Sequence, residues 1–168
     1  LHQRWNMDFV HYQLFDGRPF RVLTVVDQWS RQSPILECGL SLTGRSVVAA
    51  LERVALQTKL PVSITVDHGT EFMSKALEAW AFYLGVPLDF TRPGKPTDHS
   101  HIESFNGRLR DECLNEHWFV SLAHARAVIA GWLREYNEER PKKAIGGLTP
   151  AAYARQLATK TITFTPGP

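Results

Sequence analysis

Residues 4 to 13 alternate between two sets, with Trp5, Met7 and Phe9 on one side and Asn6, Asp8 and Val10 on the other. A period of two is that of a strand. Asp16-Gly17 then reads as a hairpin turn, and Phe20 to Val26 as a second strand rich in β-branched and aromatic residues. Trp29-Ser30-Arg31 is another turn, and Pro34 to Leu40 a third strand, so the chain opens with an antiparallel meander. After Thr43, a predicted N-cap, the period changes: Val47, Leu51, Val54 and Thr58 recur at helical spacing. "PVSITVD" is a short apolar strand ending at Asp67, a helix from about Glu71 to Leu84 follows, and "VPLDF" is a fifth strand. Strands alternating with helices after a meander imply a mixed α/β sheet with some parallel pairing.

The stretch "RPGKPTDHSHIESFNGRLRDECL" begins as a basic loop stiffened by proline and ends as an amphipathic helix with Ile102, Phe105, Leu109 and Cys113 on its core face. Residues 121 to 137 form the clearest helix. Ser121 caps it, Leu122, Ala125, Ile129, Trp132, Leu133 and Tyr136 make its apolar face, and Pro141 stops it. "KKAIGG" is a linker, and Thr149-Pro150 opens a final short helix as cap and first turn. The pattern divides the chain into a core, residues 1–140, and a C-terminal extension, residues 141–168.

Composition narrows the class. The 168 residues, 43% hydrophobic and 21% charged, suit one globular domain with a buried core. No apolar run approaches the roughly 18 residues of a membrane-spanning helix, and two cysteines are too few for a disulfide framework. A reducing, cytoplasmic compartment is therefore the expectation. A net charge of +2 permits a nucleic-acid partner without requiring one. Because the first residue is leucine, a piece of a longer polypeptide is expected.

Three acids stand out. Asp16 and Asp27 have ordinary turn chemistry, but Asp8 lies inside a predicted strand, where aspartate is disfavoured. A half-buried carboxylate there needs a partner, either a metal or an arginine such as Arg4 or Arg21. Asp67 ends a buried strand, and ligands of open α/β sheets gather beyond such ends; it equally suits a turn before His68-Gly69. Ser100-His101-Ile102-Glu103 matches a capping box, yet Glu103 also shares a helix face with Arg110, and Gly107 lies near that exposed face. Glycine costs roughly 1 kcal/mol relative to alanine in a helix, which makes sense where something large approaches closely.

Thirty-five residues separate Asp67 from Glu103, and Arg110 follows seven later. With Asp8 in an early strand, this resembles the acidic signature of the retroviral-integrase superfamily, and more closely the catalytic core of an insertion-sequence DDE transposase. The likeness extends to "WNMDFV", "DGRPFRVLTVVDQWSR", "TVDHGTEF", "PGKPTDHSHIESFNGRLRDECLN", "YNEERP" and "GLTPAAYA", in family order and over nearly the whole chain. His68 and His99 depart from the asparagine of many relatives, and Lys142-Lys143 from the histidine-serine usual after Arg-Pro.

The resemblance implies an RNase H-like fold, a five-stranded mixed sheet flanked by helices, in which Asp8, Asp67 and Glu103 converge. It further implies metal-dependent DNA cleavage and strand transfer, with those three acids catalytic and ligating two Mg²⁺ or Mn²⁺ ions per site. Carboxylates that close need a cation between them, and oxygen ligands favour these metals. The implied partner is DNA, as transposon ends and target, with at least a dimer at synapsis, no membrane, and an upstream helix-turn-helix region. Arg92, Lys95, Asn106, Arg108 and Arg110 are the candidate DNA contacts. Alternatives remain: an RNase H-like nuclease, with Glu52 as a further acid, or a catalytically silent DNA-binding remnant. A zinc site from His99, His101, Cys113 and His117 is disfavoured, because a dozen helical residues span roughly 18 Å between His101 and Cys113.

Overall fold

The computed structural model describes residues 3–91 and 100–163, the side chains of the last three excepted. Arg92, Lys95 and His99 lie outside the described residues. Strand β1 (Arg4–Gln13) turns at Gly17, whose φ of 87° an L side chain rarely adopts, into β2 (Pro19–Asp27), and β3 (Ile35–Gly39) completes the meander. Helix α1 (Gly44–Ala55), strand β4 (Ser63–Val66), helix α2 (Lys75–Leu84) and strand β5 (Leu88–Phe90) follow. Three further helices close the chain: α3 (Ser100–Glu112), α4 (Leu122–Glu138) and α5 (Pro150–Thr163).

The sheet order is β3-β2-β1-β4-β5, with the first three strands antiparallel and β4 and β5 parallel to β1. The alternation along β1 feeds two separate cores. Trp5 and Met7 join Leu23, Val25, Ile64 and Val66 under Val47 and Leu51 of α1 and Leu77 and Trp80 of α2. Val10, Val22 and Val26 face the other way, against Ile102, Phe105 and Leu109 of α3 and Ala125, Ile129 and Trp132 of α4. The mixed sheet and all five predicted strands stand as the residue pattern implied.

Boundaries differ where local chemistry competes. Helix α2 starts at Lys75 rather than near Glu71, because the Ser74 hydroxyl accepts the Leu77 amide and caps it there. The four residues before Ser74 form a turn in which the Gly69 carbonyl accepts the amides of Phe72 and Met73. Helix α3 has Ser100 as its first described residue. Thr43 caps α1 as expected, its hydroxyl exchanging hydrogen bonds with Ser46. The last helix is fourteen residues long, not short, with Thr149 accepting the Ala152 amide at its start.

Helix α1 approaches the α2 cap through Gly44. A β-carbon at Gly44 would overlap both Oγ and Cβ of Ser74 and lie 3.2 Å from the Glu71 carbonyl. Gly44→Ala is therefore expected to destabilise the fold by about 1–3 kcal/mol, the usual cost of overpacking. A urea denaturation midpoint equal to wild type would show that the two helices can part without cost.

Candidate active site

Asp8 reaches its position through sheet register. Strand β1 pairs with β4 as Arg4 with Ser63, Trp5 with Ile64 and Asn6 with Thr65. Continued two residues beyond the last pair, that register sets Asp8 beside Asp67, just past the end of β4. Parity agrees. Ile64 and Val66 share a core with Trp5 and Met7, so Asp67 and Asp8 belong to the opposite face, which carries α3.

Each carboxylate is compensated locally. Asp8 Oδ1 accepts its neighbour's amide, Phe9 N, at 2.8 Å, and Oδ2 accepts Asn106 Nδ2 at 3.0 Å. Of the two arginines considered as partners for Asp8, Arg21 is committed elsewhere: it binds Glu71 at 2.6 Å and the Leu42 carbonyl. Asp67 Oδ1 accepts Gly69 N at 2.8 Å, and a β-carbon on Gly69 would stand 2.9 Å from that same oxygen. The turn carrying Asp67 is pinned to the sheet from its other side. Phe72 stacks on Phe9 with ring centroids 5.1 Å apart, and the Arg21 guanidinium lies 4.5 Å from the Phe9 ring. Burial alone would raise the Glu71 carboxyl, but its hydrogen bond and charge pairing with Arg21 outweigh that and hold it below the usual range.

Helix α3 runs along β1, with Asn106 bound to Asp8 and Arg110 Nη1 donating to the His11 carbonyl at 3.2 Å. Glu103 is one turn before Asn106 and shares its side of the helix, but it is exposed. Among the described residues, no three His, Cys, Asp or Glu side chains stand close enough to hold one metal ion. Asp8 and Asp67 are thus neighbours by register, and Glu103 lies on the helix that Asn106 ties to Asp8, without the three enclosing a common centre. The donor chemistry nevertheless suits a hard cation: carboxylate oxygens only, with Asn106 Oδ1 beside them, buried and without a donor among the described residues.

Asn106 turns inward to Asp8, a link that helical spacing alone does not reveal. Arg108 projects from the opposite flank of α3, toward Lys142 and Lys143. A β-carbon on Gly107 would meet nothing within 4 Å, so packing inside the chain does not demand glycine there. His68 stacks on Phe90, with centroids 5.4 Å apart, and one ring nitrogen lies 3.2 Å from the Thr91 carbonyl. Cys113 is in the core, where burial pushes its thiol up to about 11, and the His117 ring donates to the Cys113 carbonyl. Glu52 is on α1, which packs on the sheet face away from Asp8.

Comparison with known proteins agrees with this architecture. A 31.7 kDa protein of insertion element IS407 from Burkholderia multivorans is 47% identical over 150 residues, covering 89% of this chain and 54% of that protein. Transposase InsF of insertion sequence IS3fB from Escherichia coli is 25% identical over 157 residues, covering 92% of this chain and 54% of that one. The chain spans about half the length of the curated relatives it matches. The HTLV-2 integrase catalytic core domain, solved in complex with magnesium, superposes with a TM-score of 0.71 at 19% identity, over 90% of this chain and 95% of that one. The fold is therefore RNase H-like, as expected from the sequence. The integrase core domain family matches residues 2–96, more than half of the chain, and a second description of the same name matches residues 84–150. The chain belongs to the integrase core domain family.

Proposed function

We propose that this chain is the catalytic core of an insertion-sequence transposase, a polynucleotidyl transferase that cleaves donor DNA and joins the freed end to a target. The observation that carries this reading is the register of β1 against β4. It sets Asp67, just past the end of β4, beside Asp8 in the middle of β1, on the sheet face that carries α3. Asp8, Asp67 and Glu103 would hold Mg²⁺ or Mn²⁺. When bound, a pair of such ions activates the attacking oxygen and stabilises the leaving one. The protein's own residues then have distinct tasks. Asn106 orients the Asp8 carboxylate through its amide, and Gly69 N does the same for Asp67. Arg110, steadied by the His11 carbonyl, offers its remaining donors to a phosphate near the scissile bond. Arg92 and Lys95 would follow the DNA backbone, contacts that position the duplex without reading its sequence. Transposon ends and target DNA are the substrates, and joining two ends requires at least two copies of the chain.

Three measurements test this reading. Glu103→Gln should abolish cleavage and joining of a labelled oligonucleotide while leaving the denaturation midpoint unchanged, because the side chain is exposed. If the variant unfolds yet keeps its specific activity, Glu103 is a structural helix residue. Asn106→Ala should raise the Mn²⁺ concentration for half-maximal activity by roughly 10–100-fold, as loss of a partner that orients a metal ligand does. An unaltered metal requirement would leave the Asn106–Asp8 bond without a catalytic role. Arg110→Ala should weaken duplex binding and flatten its salt dependence by about 0.9 in the log–log slope, the contribution of one phosphate. An unchanged slope removes Arg110 from the interface.

A further inference from the structure

Helix α3 carries three stripes. At 100° per residue, Ile102, Phe105 and Leu109 form the buried row, Glu103, Asn106 and Arg110 lie to one side, and His101, Ser104 and Arg108 to the other. Gly107 stands opposite the buried row. The stripe away from the acids opens on a cavity of about 470 Å³. Arg31 from the turn after β2, His101 and Arg108 from α3, Tyr136 from α4, and Lys142 and Lys143 from the segment beyond α4 all line it.

Four of these six side chains are cationic, and no carboxylate lines the cavity. Among the described residues none of the four is ion-paired, whereas the neighbouring Arg140 binds Glu112 and Glu135. The chain as a whole carries only +2, so general basicity does not explain the concentration of charge. It is also maintained against local cost. Arg31 holds a left-handed backbone, with a φ of 66°, at a turn where glycine would be at ease, and its guanidinium bonds the His101 ring. Strain of this kind persists where surrounding structure enforces it, commonly at ligand sites. The Lys142 ammonium lies over the Tyr136 ring, 4.2 Å from its centroid, where burial and the nearby Arg108 and Arg140 outweigh the pull of Glu112 and push it down to about 8. Unpaired cations held together and partly out of water favour a multiply charged anion between them.

We propose that this cavity receives a backbone phosphate of the nucleic acid on which the core acts, at a point flanking the acidic site. The inference rests on the DNA reading given above. Guanidinium and ammonium groups arriving from separate elements suit a phosphate, which accepts hydrogen bonds from several directions. A duplex laid over Gly107, where no β-carbon stands, can touch Arg110 on one flank and Arg108 on the other. The contact fixes the angle of the DNA across α3 and carries no sequence preference.

Two experiments test the proposal. In the first, isotope-labelled protein is titrated with inorganic phosphate at constant ionic strength and followed by NMR. Saturable shifts are expected at the amides of Arg108 and of residues 142–144. They should be lost in Lys142→Met, which keeps an apolar stem over Tyr136, and restored in Lys142→Arg. In the second, duplex binding is measured from low to high salt. The log–log slope should fall by about 0.9 in Lys142→Met, the loss of one neutralised phosphate. Lys143→Ala, at an exposed position, serves the same purpose if Lys142→Met fails to fold. A phosphate titration without saturation overturns the proposal. Duplex binding with an unchanged slope in the variants also overturns it, but leaves the DNA reading standing. A wild-type protein that binds no duplex at all removes the DNA reading, and this proposal with it.

Discussion

The central position of β1 is the constraint on which the rest depends. It pairs along its length with β2 and, at its start, with β4. Because successive side chains point to opposite faces, one strand supplies both cores: Trp5 and Met7 to the α1–α2 side, Val10 to the α3–α4 side. A slip of one residue would exchange the two sets and bury Asp8 among apolar side chains. The same register that secures packing therefore determines where the acids lie.

A carboxylate inside a strand demands compensation, and the surroundings of Asp8 and Asp67 supply it in graded form. Backbone amides satisfy part of each group, the Asn106 amide adds a neutral donor to Asp8, and Arg21 is drawn to Glu71 on the other face. That ion pair leaves Arg21 unavailable to Asp8.

Helix α3 lies between two chemically different regions. The flank with Glu103, Asn106 and Arg110 borders β1 and Asp8, and the other borders a cavity lined by cations from three segments. The buried row of Ile102, Phe105 and Leu109 holds the helix at a fixed rotation, so neither flank can turn without breaking the core. Nearby, Arg140 is balanced by Glu112 and Glu135, which do not line the cavity.

By itself the sequence determined what depends on neighbours a few residues apart. The period-two alternation of residues 4 to 13, the Asp16-Gly17 turn, the caps at Thr43, Ser121 and Thr149 and the apolar faces of α3 and α4 are short-range physics, and all are present in the fold. The family blocks were legible for the same reason, being contiguous strings. Tertiary structure decided what depends on partners far along the chain. Strand order set Asp67 beside Asp8, and Asn106, which the resemblance grouped with the DNA contacts, turns to Asp8 because α3 lies along β1. Ser74 caps α2 at Lys75, and Glu71, in the turn before it, finds a distant partner in Arg21. The cationic cavity draws on segments scattered from Arg31 to Lys143, and hydrophobic periodicity cannot register such a grouping because it records only which side of an element faces the core.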